Sequence, residues 1–183
     1  VIFDSARKNF RNEIYSDYKS NRSDAPDDLV PQFDFIRKSV LAFNLPSIEQ
    51  LNYEADDLIA TYAEKILKEG AKVTIVSSDK DLMQLYKKNV RIFDPMKSKF
   101  ITEKDVEEKF GVIPSKVIDV QSLAGDSSDN VPGVPGIGIK TAAELINKYG
   151  SLEKVLEKAE EIKQNKRRQT ILENKDKAII SKK

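Results

Sequence analysis

Gly125-Asp126-Ser127-Ser128-Asp129-Asn130 runs straight into Val131-Pro132-Gly133-Val134-Pro135-Gly136-Ile137-Gly138. Two aspartates three residues apart can share one face of a turn and hold a metal ion; an Asx-turn loop is the ordinary alternative. The Gly/Pro turn that follows leads into a helix start at Lys140-Thr141. Free backbone N–H groups at such a start can hold a phosphate. Side by side, the two features point to a metal-dependent enzyme acting on a phosphate chain.

Outward from this stretch the chain changes character. On its C-terminal side helical patterns cover Lys140 to Tyr149, Ser151 to Ile162 with Ser151 as cap, and a segment after Asn165. Just before it, Ser115 to Leu123 and Thr102 to Phe110 are helical, with Thr102 as N-cap and a break at Gly111 to Pro114. No strand is expected from Thr102 onward.

Further back, strands and helices alternate. Val90 to Asp94 reads as a strand, Asp81 to Tyr86 as a short helix, and Lys72 to Ser77 as a β-branched central strand. Glu54 to Glu69 is a helix with Leu58, Ile59, Tyr62, Ile66 and Leu67 facing inward and Gly70 closing it. Ser47 to Leu51 is a short strand, and a helix runs from Asp27-Asp28 to about Asn44. Val1-Ile2-Phe3-Asp4 reads as a buried strand, and a chain opening inside its core implies an earlier strand upstream. The expectation is an α/β fold with a mostly parallel sheet covered on both faces, over residues 1–112. An all-helical domain over residues 113–183 completes it.

Composition narrows the chemistry. The 183 residues contain neither Cys nor His. A disulfide framework is thereby excluded and a structural zinc site disfavoured, which leaves a hard, oxygen-liking ion such as Mg²⁺ or Mn²⁺. No apolar run approaches the ~20 residues of a membrane span, and a cytosolic location is the default. The net charge of +1 hides segregation. Lys163 to Lys183 holds eight Lys/Arg against Glu173 and Asp176, and Ser5 to Arg22 holds Arg7, Lys8, Arg11, Lys19 and Arg22 against Glu13 and Asp17. Cations at the ends and carboxylates in the middle suit a nuclease, although solvated faces would explain any one segment.

The carboxylates form four groups: Asp4, Glu54-Ala55-Asp56-Asp57, Asp79-Lys80-Asp81, and Asp126 with Asp129. Asp4 and Asp79 stand at the carboxyl ends of expected strands, where α/β sheets place their sites. An acidic helix start or a capped turn explains each group alone. Brought into one cleft, two like charges at ~4 Å and an effective dielectric near 20 cost roughly 4 kcal/mol, and divalent cations are the natural compensation. Two metals ~3.5–4 Å apart would activate water and stabilise the leaving oxygen of a phosphodiester. Residues 7–22 carry Phe10, Tyr15 and Tyr18 among their cations, with no clean apolar stripe. They read as a mobile or solvent-facing helical arm for single-stranded nucleic acid, or as a plain solvated helix.

Val1-Ile-Phe-Asp4, Tyr18-Lys-Ser-Asn-Arg22, Tyr53-Glu-Ala-Asp-Asp57, Ser78-Asp-Lys-Asp81, Gly125-Asp-Ser-Ser-Asp-Asn-Val-Pro-Gly133 and Gly136-Ile-Gly138 occur in that order. The combination resembles the 5′-nuclease domain of bacterial DNA polymerase I, within the flap endonuclease superfamily. The resemblance implies a PIN-like core, an arch above the site and a helix–hairpin–helix-type motif. It implies 5′→3′ exonuclease and 5′-flap endonuclease activity on DNA in replication and repair, with two or more Mg²⁺ or Mn²⁺ ions. Asp4, Glu54, Asp56, Asp57, Asp79, Asp81, Asp126 and Asp129 would be direct or water-mediated ligands. Tyr18, Lys19 and Arg22 would meet the scissile phosphate or flap, with Lys19 and Arg22 in catalytic roles. Gly133, Val134, Gly136, Ile137, Gly138, Lys140 and Thr141 would hold the duplex backbone, with K⁺ as a further ion there. A monomer in the bacterial cytoplasm, associated with the nucleoid and joined to a polymerase domain in the intact protein, is the implied setting. A further metal-binding aspartate of the family lies on a strand upstream of the stretch matching Val1, in keeping with the abrupt start. A non-catalytic DNA-binding fragment and a PIN-type ribonuclease are the alternatives.

Overall fold

A computed structural model describes residues 1–183. The α/β part holds α1 (Phe10–Ile14), α2 (Val30–Ala42), α3 (Ala55–Lys68), β1 (Val73–Val76), β2 (Val90–Asp94), β3 (Lys99–Ile101) and α4 (Glu103–Phe110). The helical part holds α5 (Val117–Ala124), α6 (Ile139–Tyr149), α7 (Leu152–Glu157), α8 (Asn165–Glu173) and α9 (Lys175–Lys182). The sheet has the order β1-β2-β3, with β1 parallel and β3 antiparallel to β2.

Period-two alternation explains how the sheet sits. Ile75, Val90, Ile92 and Ile101 point to one face and are buried, while Val76, Arg91 and Phe100 point to the other and are exposed. The buried face joins one apolar cluster that continues through Val106 and Phe110 into Val117, Val120, Leu123, Ile146, Leu152 and Ile171. The two parts therefore share a single core rather than meeting at a polar seam.

Several expectations change. Val1 to Asp4 is not a buried strand: it makes one parallel bridge, Ile2 to Ile48, and Val1 is 50% exposed. Ser47 to Leu51 contributes only the other side of that bridge. The Lys72–Ser77 strand stands at the sheet edge instead of its centre, because β2 is its only strand partner. One face of the sheet, not both, is covered. Tyr62 faces outward on α3, where Ala63 takes the inner position beside Leu58. β3 escapes the sequence reading because three residues carry too little alternation to register. α2 has the spacing of an amphipathic helix but buries none of its residues.

Residues 7–22 also differ from expectation. Only Phe10–Ile14 is helical, capped by Asn9, and the segment is docked rather than solvent-facing. Phe10 packs on Tyr53 with ring centroids 5.7 Å apart. The turn that follows is pinned to the Asp126–Asn130 loop. Lys19 N–H donates to the Asp129 carbonyl at 2.9 Å, Asn21 donates to the Ser127 carbonyl at 2.7 Å, and Asn130 donates to the Asp17 carbonyl at 2.7 Å. Lys19 takes φ +55 to make this turn.

Candidate metal and nucleic-acid site

One cavity of about 410 Å³ collects all eight carboxylates named from the sequence: Asp4, Glu54, Asp56, Asp57, Asp79, Asp81, Asp126 and Asp129. Five of them are placed by local devices. Asp4 Oδ1 accepts the N–H of Ala55 at 2.6 Å, which ties the first segment to the start of α3. Glu54 and Asp57 close a capping box there, with the Glu54 N–H donating to Asp57 at 2.9 Å. Asp79 Oδ1 accepts the Asp81 N–H at 2.9 Å as β1 turns into a short 3₁₀ segment. Asp126 Oδ1 accepts the Ser128 N–H at 2.8 Å inside its own loop, which is no helix turn but an Asp126-to-Val131 bridge.

The carboxylates divide by how their charge is balanced. Arg11 grips Asp57 with two bonds of 2.8 and 2.7 Å and reaches Glu54 at 3.7 Å. Lys19 bonds Glu54 and lies 3.8 Å from Asp129; Arg22 bonds Asp129, and Lys80 bonds Asp126. Tyr18 donates to Glu54 at 2.9 Å and lies 3.5 Å from Asp129. Burial and the two carboxylates push its phenol far above its usual range, so it remains a donor.

The other group, Asp4, Asp56, Asp79 and Asp81, forms no ion pair; Lys80 acts on Asp81 only from a longer distance. Burial, with Asp79, Asp81, Glu54 and Asp4 close by, raises the Asp56 carboxyl to about 7. Burial also raises Asp81, against the opposing hydrogen bond from Gln121. Asp57 and Asp126 go the other way: burial is the largest single influence on both and acts upward, but Arg11 with the Glu54 N–H, and Lys80 with Ser128, together outweigh it.

This donor set fits a hard divalent cation. It consists of oxygens alone, it has no His or Cys competitor, and half of it is held in no ion pair. No three of these groups are drawn together into a ready ligand cage. What they share is the cavity.

Three residues of this site carry little or no signal in the sequence. Lys80 sits between two named aspartates, where a charge alternation conceals it. Arg11 belongs to a basic run that reads as solvated. Gln121, on α5, donates to Asp81 Oδ1 at 2.6 Å and is an unremarkable helix residue by its pattern. Lys182 and Lys183, at the end of α9, also line the cavity, and Lys182 is bonded to Asp119 at 2.7 Å and to Glu153.

The glycine turn lies just outside the cavity, reached through Val131 and Pro132. Val134 N–H donates to the Leu123 carbonyl at 2.8 Å, Gly133 N–H donates to Ser181 Oγ at 2.9 Å, and Gly138 caps α6. Val134 and Ile137 put their side chains into the core, and their N–H groups are spent on the Leu123 and Val134 carbonyls, so only their carbonyls are open to a ligand. Gly136, Gly138 and Lys140 are exposed. Thr141 lies 3.5 Å from an Arg167 donor. The turn has φ +55 at Gly133, and a Cβ there would lie 2.3 Å from the Gly125 nitrogen. Main chain packs on main chain at this point, which only glycine permits.

A family described as "5'-3' exonuclease, N-terminal resolvase-like domain" matches residues 1–111, and one described as "5'-3' exonuclease, C-terminal SAM fold" matches residues 112–183. The chain belongs to this 5′-3′ exonuclease family. It is 59% identical over 181 residues to DNA polymerase I of Rhizobium leguminosarum, covering 99% of the chain and 18% of that protein. It is 46% identical over 156 residues to a 5′-3′ exonuclease of Aquifex aeolicus, covering 85% of the chain and 54% of that protein. The chain thus spans under a fifth of the one and about half of the other.

Its fold is shared with a T5 5′-exonuclease bound to zinc at a TM-score of 0.87 and 22% identity, over 100% of this chain and 71% of that one. The catalytic core of Rad2 in complex with DNA aligns at 0.56 and 18% identity, over 95% and 57%. These confirm the α/β class with its helical C-terminal part. No helix is long and apolar enough to cross a membrane.

Proposed function

We propose that this chain is the nuclease part of a metal-dependent 5′→3′ exonuclease and 5′-flap endonuclease acting on DNA in replication and repair. The observation that carries the proposal is the single cavity lined by eight carboxylates, with a docked basic turn at one side and the glycine hairpin just beyond it. Residues 1–112 would carry the chemistry, and residues 113–183 would hold the duplex.

Asp4, Asp56, Asp79 and Asp81 form the half without ion pairs, and with Glu54, Asp57, Asp126 and Asp129 they would hold Mg²⁺ or Mn²⁺. Such ions supply an activated water and charge stabilisation at the phosphate. The chain's own residues do the rest. Lys19 and Arg22, on the docked turn, neutralise the phosphate oxygens, and Tyr18 keeps a donor aimed between Glu54 and Asp129. The backbone of Gly136 and Gly138 offers contacts that do not read sequence; Val134 and Ile137 have only carbonyls to add. Lys140 and Thr141 add a charge and a hydroxyl, and K⁺ at the turn belongs to the same proposal. So do a monomeric state, a cytoplasmic site of action at the nucleoid and a polymerase domain elsewhere in the intact protein.

The test is cleavage of a labelled 5′-flap DNA by the protein carrying this chain, with Mg²⁺ and with EDTA. Cleavage should need the metal, and Asp126→Ala with Asp129→Ala should abolish it while the flap still binds. Unchanged cleavage by that double variant would sink the site assignment. Binding without cleavage at any Mn²⁺ concentration would make the chain a DNA-holding module instead. Preference for an RNA flap would make it a ribonuclease.

A further inference from the structure

The cations bonded to these eight carboxylates come from two places. Arg11, Lys19 and Arg22 belong to the segment before α2 and engage Asp57, Glu54 and Asp129. Lys80 belongs to the turn after β1, between Asp79 and Asp81, and bonds Asp126, with Asp81 and Asp129 acting on it from farther off. Its side chain is 36% exposed and lines the cavity.

Lys80 makes no side-chain hydrogen bond other than the one to Asp126. It stands at the start of the Asp81–Leu85 turn but makes no capping bond there. Asp126 does not need it for orientation either, because Ser128 holds the other oxygen, Oδ1, through both its N–H and its hydroxyl. What remains is an ammonium on a four-carbon stem, able to change partners without moving the backbone.

Building on the nuclease reading above, we infer that Lys80 is a catalytic residue that passes from Asp126 to a non-bridging oxygen of the phosphate being cleaved. Asp126 is one of the proposed metal ligands. Ligation would engage the carboxylate that Lys80 now neutralises, leaving a cation at the cavity wall that needs a new anion. The scissile phosphate is the anion that enters. Lys19 and Arg22 reach it from Glu54 and Asp129, and Lys80 reaches it from Asp126. The phosphate would thus be met by cations from two separate segments of the chain.

The experiment pairs Lys80→Met with a change in the DNA. Binding of two 5′-flap duplexes is measured in Ca²⁺, whose looser coordination makes it a poor catalyst. One duplex is all phosphate; the other carries a neutral methylphosphonate at the linkage the protein cuts. Lys80→Met should weaken binding of the first about tenfold and of the second by less than about twofold. Lys80→Arg should keep most of the affinity. Calorimetric uptake of Mn²⁺ alone should survive Lys80→Met. An equal penalty on both duplexes, no penalty on either, or loss of Mn²⁺ uptake would overturn the inference, the last by showing that Lys80 acts only through Asp126. A wild-type chain that neither takes up Mn²⁺ nor binds the flap would instead overturn the nuclease reading, and this inference with it.

Discussion

Gln121 and Asp81 come from different halves of the chain, and the Gln121 amide donates to Asp81 Oδ1 at 2.6 Å. The same residue's carbonyl accepts the N–H of Gly125 at 2.7 Å. One side chain and its own backbone therefore tie a carboxylate of the α/β part to the loop that carries Asp126 and Asp129. A hydrogen bond that orients a prospective ligand typically changes metal affinity by about 10–100-fold. Gln121→Leu should raise the Mn²⁺ concentration at half-saturation by about tenfold and leave the melting temperature nearly unchanged, as read by calorimetry and thermal melts.

Crowding of like charge predicts the sign of another change. Asp56 is half-buried beside Asp79, Asp81, Glu54 and Asp4. Asp56→Asn removes one of the repelling charges, so in EDTA the variant should melt higher than the wild type. Mn²⁺ at a hundred times its Kd should stabilise the wild type by about 2.7 kcal/mol, and the variant by much less. A variant that melts lower in EDTA would show that Asp56 is compensated in a way its neighbours do not reveal.

Arg11 predicts the opposite sign. Its two bonds to Asp57 lie where the side chains are 25% and 20% exposed. Removing one partner of a buried pair costs several kcal/mol, and discounting for this exposure leaves about 2 kcal/mol. Arg11→Met should destabilise the chain by that amount in denaturant melts, with Asp57 and Glu54 left facing one another.

The two turn glycines separate sterics from conformation. At Gly133 a Cβ would meet the Gly125 nitrogen at 2.3 Å, and φ is +55. Gly133→Ala should cost about 3 kcal/mol or more. At Gly136 φ is +74, yet a Cβ meets nothing within 4 Å. Gly136→Ala should cost only about 1 kcal/mol, a difference that thermal melts resolve.

Much of the site was legible because its chemistry is written in residue type. The eight carboxylates, the Tyr18-to-Arg22 turn and the glycine run are visible as types at set spacings, and the cavity gathers the carboxylates without exception. The balance of charge was not legible, because it depends on which cation reaches which acid. Nothing in the spacing of Lys80 and Asp126, or of Arg11 and Asp57, announces their contact. Secondary structure was readable where the pattern was long, as in α3 and α6. It failed where pairing decides: Val1 to Asp4 has strand composition, but it makes only one bridge.

On the proposed nuclease function, the contact between Gly125 and Gly133 would bear on where a strand is cut. The loop bearing Asp126 and Asp129 and the turn offered to the duplex are locked backbone to backbone, with no side chain intervening. A duplex seated on the turn and a phosphate seated among the carboxylates would then lie a set distance apart. The offset between junction and cut would become a property of the main chain, like the gap between fence and blade. Side-chain changes around the cavity would alter how fast the strand is cut, while the nucleotide at which it is cut stays the same.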